Sequence, residues 1–173
     1  MYGYRARIGY TSPLFLTEVF TYEFYKVVPE GVTLVMTTCK IVNVTRKEVE
    51  DSYNLSIEAA KEMGRNEVDL VVLGGIPVNM ARGFDKIDEL IKDTEKACGV
   101  PVTTSITAQI NALRQLKAQK IAVVTLPEPP PPVRPQDDYL TRSGFQVVAM
   151  KGIGYGPMEL ARVSSDVSVR VAR

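Results

Sequence analysis

The sequence predicts an α/β fold built on a doubly wound parallel sheet. Short β-branched runs alternate with stretches of helical periodicity along its 173 residues. The turns between them are short, as strand–helix–strand units in one parallel sheet require. One run, Asp69–Leu73 (DLVVL), is apolar without alternation, which is expected of a strand covered on both faces.

Taken in order, Arg7–Thr11 (RIGYT) reads as the first strand. Ser12-Pro13 follows as a turn, and Pro13 is expected to stop the strand because it cannot donate to a ladder. Thr17–Val27 carries Phe20, Phe24 and Val27 at helical spacing. Gly31–Thr38 (GVTLVMTT) is a β-branched second strand. Thr45 and Glu48 stand at capping-box spacing, so a helix is expected from there to about Gly64, with Val49, Tyr53, Ile57 and Ala60 inward. The third strand, Asp69–Leu73, ends in Gly74-Gly75-Ile76-Pro77. Phe84–Ala97 is helical with Ile87, Leu90, Ile91 and Thr94 inward, and Gly99 is its expected stop. Val100–Thr104 is strand four. Thr107–Leu116 is a helix with Ile106, Ile110 and Leu113 on one face. Lys120–Thr125 and Phe145–Met150 are strands five and six.

Two segments break the alternation. Pro127–Pro135 cannot be helix interior or central strand and reads as an extended surface loop of polyproline character; a proline-motif docking site is the competing reading. Ser165–Arg173 looks like the opening of a helix that stops abruptly, so a fragment of a longer chain is expected.

Composition narrows the function. The chain is 45% hydrophobic and 24% charged with a net charge of +1, and nothing in that balance asks for nucleic acid or an anionic membrane. No apolar run approaches the roughly 20 residues of a spanning helix, and a strand pattern begins directly after Met1–Arg5. No signal peptide is read there, and a cytoplasmic location is the expectation. Cys39 and Cys98 are the two cysteines, without a CxxC, which excludes a disulfide framework and a Cys-rich zinc site. The absence of histidine excludes a Ser-His-Asp triad, a Cys-His pair and most catalytic zinc centres. Proton chemistry would fall to carboxylate, Tyr, Lys, Cys, backbone or the substrate itself. No metal and no organic cofactor are expected.

An open parallel sheet places its ligand at the carboxyl ends of the strands. That rule nominates Thr11-Ser12-Pro13, Gly74–Asn79, Thr103-Thr104-Ser105 and Thr125-Leu126-Pro127. Three of the four carry hydroxyls. The fourth carries a Gly-Gly pair whose amides can approach an anion closely. Together they suggest a small pocket of neutral donors for a carboxylate. Each also has a structural reading: Thr103-Thr104-Ser105 as a helix cap, Gly74-Gly75 as a tight turn. Gly-Gly-Ile-Pro matches neither a dinucleotide fingerprint nor a P-loop. Asp85, Asp88 and Glu89, interspersed with Lys86 and Lys92, read as a solvated helix face. Cys39, just past strand two, reads as an apolar filler, Cys98 as structural, and Tyr10, Tyr22 and Tyr25 as core or rim aromatics.

Three segments carry a family resemblance: R-I-G-Y-T-S-P at Arg7–Pro13, D-L-V-V-L-G-G-I-P-V-N at Asp69–Asn79 and G-V-P-V-T-T-S-I-T-A-Q-I-N-A-L-R at Gly99–Arg114. They resemble the aspartate/glutamate racemase superfamily, in the branch of arylmalonate decarboxylase and maleate cis-trans isomerase. The resemblance implies two pseudo-symmetric flavodoxin-like halves, here 1–101 and 102–173 with the second incomplete, and a site in the cleft between them. It implies cofactor-independent lyase or isomerase chemistry on small mono- or dicarboxylates, with cysteines as acid, base or nucleophile. The first family cysteine falls at Gly75, the hydroxyl residues after it at Ile76 and Pro77, and a family tyrosine after strand five at Pro127. The second cysteine lies beyond residue 173. No catalytic residue is therefore identified, and the chain as it stands is expected to be inactive. The expected substrate-binding set is Ser12, Pro13, Gly74, Gly75, Asn79, Thr104 and Thr125. A non-catalytic carboxylate-binding protein of the same fold is the alternative, and a homodimer is a possible assembly.

Overall fold

The computed structural model describes residues 2–125 and 135–173. Along the chain come β1 (Ala6–Leu14), α1 (Val19–Val27), β2 (Val32–Ile41), α2 (Arg46–Arg65), β3 (Leu70–Leu73), α3 (Ile76–Asn79), a 3-10 turn at Phe84–Lys86, α4 (Ile87–Cys98), β4 (Val102–Thr104), α5 (Ser105–Gln115), β5 (Lys120–Thr125), α6 (Pro135–Arg142), β6 (Gln146–Gly152), α7 (Pro157–Leu160) and α8 (Ser165–Ala172). The proline-rich segment expected as a loop lies, up to residue 134, outside the described residues.

The strands form an all-parallel sheet of order β2-β1-β3-β4 and a second, two-stranded parallel sheet β5-β6. Side chains alternate across a strand. Gly9 of β1 therefore faces Met63 of α2, while its neighbour Tyr10 stacks on Phe20 of α1. Helices thus cover both faces of the first sheet, as a doubly wound α/β fold requires. β4 pairs with β3 and so belongs to the first sheet.

Local chemistry sets the element ends. Thr45 Oγ1 accepts from the Glu48 amide at 3.3 Å and Glu48 Oε2 accepts from the Thr45 amide at 3.0 Å, the reciprocal capping box expected at the start of α2. α4 ends at Gly99 in the left-handed conformation. One expectation is corrected and another refined. Pro13 does not end β1. The strand runs on to Leu14, with its register broken between Ser12 and Leu14, and this irregularity accommodates the missing N–H. The fully buried stripe of α2 is Ser52, Ser56, Ala59, Ala60 and Met63, with the expected Tyr53 and Ile57 partly buried against the same core and Val49 only half-buried. Small residues let α2 approach the sheet, and Ser52 Oγ accepts the Lys40 amide of β2 at 3.0 Å. The larger side chains flank that contact.

Two cores result. Ala60, Met63, Val71, Leu73, Leu90 and Val102 fill the space between α2, α4 and the first sheet. Ile87, Ile106, Ile110, Tyr139, Leu140 and Phe145 join α4 and α5 to the second sheet's elements. Each large apolar side chain so buried stabilises the fold by roughly 1.5–3 kcal/mol before entropy is counted. Among the described residues no helix is long and apolar enough to cross a membrane.

Candidate functional site

The order β2-β1-β3-β4 reverses direction between β1 and β3, the topological position at whose carboxyl strand ends open α/β sheets bind ligands. Thr11, Ser12 and Pro13 of β1 and Gly74-Gly75 after β3 meet there. The Gly74 amide donates to the Thr11 carbonyl at 3.0 Å and to Thr11 Oγ1 at 3.2 Å. Gly74 has no room for a side chain: a β-carbon there would stand 2.2 Å from the Thr11 oxygen and 2.7 Å from the Tyr10 hydroxyl. Gly75 has φ +85° and packs on Pro13, whose Cβ would be 2.5 Å from a β-carbon at Gly75. Both glycines are required by the turn, one by close approach and one by its backbone angle as well.

Beneath the turn, Asn79 closes α3. Its Nδ2 donates to the Leu73 carbonyl at 3.1 Å, and the side chain is 2% exposed, with Oδ1 lacking a hydrogen-bond partner. Thr104 is fully buried and caps α5, accepting the Thr107 amide at 3.0 Å. Ser12 is also buried. Thr125 ends β5 in the second sheet, and no hydrogen bond among the described residues links its side chain to the Gly74-Gly75 turn. The expected residues therefore divide. Ser12, Pro13, Gly74, Gly75, Asn79 and Thr104 belong to the β1–β3–β4 rim, whereas Thr125 stands on the other sheet.

Two residues outside the expected set belong to the rim. The Gly75 amide donates to Ser105 Oγ at 3.2 Å. Tyr10 stacks on Phe20 with ring centroids 4.0 Å apart, and its hydroxyl lies beside Gly74. Burial pushes the Tyr10 phenol up to about 12, against an opposing hydrogen bond with Ser105. Sequence alone marks Thr103-Thr104-Ser105 as a hydroxyl run, but not which hydroxyl faces the turn. It marks Tyr10 only as an aromatic.

Cys39 is not past strand two but within it, 2% exposed, and burial pushes its thiol up to about 11. Cys98 is buried at the end of α4, its thiol directed at the Val100 carbonyl. Cys39 therefore offers no thiolate to the rim at neutral pH.

A family model described as arylmalonate decarboxylase matches residues 23–170, most of the chain. The chain belongs to the arylmalonate decarboxylase family. No curated protein sequence matches it. Solved structures share its fold. Maleate isomerase from Pseudomonas putida S16 superposes with a TM-score of 0.75 at 22% identity, covering 90% of this chain and 66% of its own. Nocardia farcinica maleate cis-trans isomerase, solved with TRIS, gives 0.81 at 17% identity, covering 97% and 72%. An unliganded arylmalonate decarboxylase gives 0.73 at 20%, covering 96% and 70%. This chain thus spans about two-thirds of the length of these arylmalonate decarboxylase-fold enzymes. A variant of the Pseudomonas enzyme has been solved with maleate, and a variant of the Nocardia enzyme with a covalently bound succinylcysteine intermediate.

Proposed function

We propose that this chain is the carboxylate-gripping part of a cofactor-independent lyase or isomerase acting on small mono- or dicarboxylates. The observation that carries the reading is the Gly74-Gly75 turn at the β1/β3 switch point of a chain in the arylmalonate decarboxylase family. Maleate and a succinyl adduct in the fold's solved enzymes support the substrate class. A carboxylate would be held beside the Gly74-Gly75 turn at the N-terminus of α5, where the helix dipole favours negative charge; the Gly74 and Gly75 amides themselves already donate to Thr11 and Ser105. Thr11, Asn79 and Thr104 act one layer below: they hold the Gly74 amide, the Leu73 carbonyl and the α5 cap in place. Ser12 and Pro13 form the β1 wall, and Thr125 would come from the facing sheet. The protein is read as cytoplasmic, without a nucleic-acid partner; a homodimer is its proposed assembly.

Turnover needs an acid or base at the reacting carbon, a contribution of typically about 10²–10⁴-fold. Gly75 stands where the family's first cysteine is expected, and Pro13 fills the space a side chain there would need. That packing favours the second reading for the chain itself, a binding protein without turnover. Calorimetric titration with maleate and with phenylmalonate, alongside assays for isomerisation and carbon dioxide release, tests both. Saturable binding without turnover is expected. Failure to bind either acid would remove the proposal, and turnover would remove the second reading.

A further inference from the structure

At the amino ends of β1 and β2, away from the rim, lies a groove of about 900 Å³ lined by Tyr2, Tyr4, Tyr25, Pro29, Glu30 and Val32. Its aromatic walls are held in place from behind. Tyr4 lies over Gly31, where a β-carbon would stand 2.5 Å from the ring, and the adjoining Arg5 amide donates to the Gly31 carbonyl at 3.0 Å. The Tyr25 hydroxyl accepts the Leu34 amide at 3.1 Å, and its ring stands edge-on to Phe24 with centroids 5.3 Å apart. Both rings nevertheless remain more than half exposed, at 67% for Tyr4 and 51% for Tyr25. Rings ordered before binding lose little entropy when a partner covers them. Glu30 is exposed beside them, without an ion-pair partner among the described residues.

We propose that this groove docks the proline-rich segment Pro127–Arg134 of a second copy of the chain. Aromatic-lined grooves recognise proline runs, because proline rings pack against aromatic faces and a proline run has little backbone entropy left to lose. The segment Pro-Glu-Pro-Pro-Pro-Pro-Val-Arg has PxxP spacing at Pro127–Pro130 and at Pro129–Pro132, and it ends in a cation, Arg134, complementary to Glu30. Reach rules out the chain's own segment. The Ala161 carbonyl, beyond the end of β6, accepts the Glu18 and Val19 amides, beyond the end of β1. The carboxyl ends of both sheets therefore share one side, and the segment leaves β5 on that side, opposite the groove. Residues 126–134 have a contour of about 30 Å, so between Thr125 and Pro135 they reach out and back by about 15 Å. β1 alone, with nine residues, is about 30 Å long. Segment and groove at opposite ends of each copy suit two copies packed antiparallel, so that the contact forms twice across a two-fold axis. The inference is independent of the carboxylate reading.

Equilibrium sedimentation of the full chain across the micromolar range tests this. Wild type is expected to dimerise. Glu30→Arg and Arg134→Glu should each weaken the dimer about tenfold, because a contact made twice turns from attractive to repulsive. Mixed in equal amounts, the two variants should recover wild-type association, since each groove then meets a segment of opposite charge. That rescue also shows that neither variant had merely failed to fold. Tyr2→Ser, at a side chain 94% exposed, should weaken the dimer about threefold. Replacing Pro129–Pro132 with alternating glycine and serine should abolish it. A monomeric wild type would overturn the proposal. A dimer indifferent to the charge reversals and to the proline replacement would overturn it as well, by putting the contact elsewhere. A monomeric chain whose Tyr4 and Tyr25 resonances shift with a synthetic peptide of residues 127–135 would overturn the second copy as occupant and assign the groove to another protein's proline run.

Discussion

Gly75 packs its α-carbon against the ring of Pro13, across the gap between the ends of β3 and β1. This contact explains why the turn carries no side chain, and it couples Gly75 to an irregularity in the neighbouring strand. Restoring a side chain there conflicts with both the proline and the backbone angle of +85°. Gly75→Ala and Gly75→Cys are each expected to lose about 1–3 kcal/mol from the backbone angle and the overlap. In a chain of this length each kcal/mol lowers the thermal midpoint by about 2–4 °C. A midpoint unchanged by Gly75→Ala would show that Pro13 yields freely.

Gly64 gives a second steric prediction, of a sign opposite to helix propensity. Alanine inside a helix is ordinarily favoured over glycine by about 1 kcal/mol. At Gly64 in α2, however, a β-carbon would stand 2.0 Å from the Cys98 carbonyl at the end of α4. The overlap outweighs the propensity, because a backbone oxygen cannot rotate away. Gly64→Ala is expected to destabilise by about 1–3 kcal/mol in urea titration.

The capping box of α2 predicts a pH dependence. The Thr45 amide, and after it the Asn43 amide, hold the Glu48 carboxyl below the usual carboxylate range. A carboxyl depressed in the folded state contributes stability above its unfolded pKa and loses it as the pH falls through the folded value. Glu48→Gln should therefore reduce the acid-side slope of thermal stability and leave the shape of the curve above neutral pH unchanged. Thr45→Ala should cost about 1 kcal/mol at neutral pH.

Cys39 predicts silence toward thiol reagents. Burial within β2 keeps it a thiol at neutral pH, and Cys98 is buried as well. The native protein should label slowly with iodoacetamide at pH 7.5, and both thiols should label quickly in guanidinium. Rapid labelling of Cys39 in the native state would restore it as a candidate nucleophile.

Much of the fold was legible because local chemistry and pattern agreed. Thr45 and Glu48 announced α2, Gly99 ended α4, and the apolar run at Leu70–Leu73 became the central β3. Pro13 and Cys39 show the limit of that logic. β1 runs on past Pro13, and β2 runs past its expected end at Thr38 through Cys39 to Ile41, because pairing between the two strands outweighs local preference. The glycine turn was legible as a position but not as a network. Which hydroxyl of Thr103-Thr104-Ser105 met the Gly75 amide depended on the lateral order of β3 and β4, which no local pattern encodes. Tyr10 was visible as an aromatic, but its place over Gly74 depended on which face of β1 it occupied.

The central claim is that a small organic acid is gripped at the rim shared by β1, β3 and α5. Amide chemical shifts recorded while maleate is titrated into the isotope-labelled chain measure it directly. Saturable shifts centred on Gly74, Gly75 and Ser105, with the Tyr2, Tyr4 and Tyr25 groove at the opposite strand ends unmoved, are the predicted result. Shifts confined to that tyrosine groove, or none at the glycine pair, would contradict it.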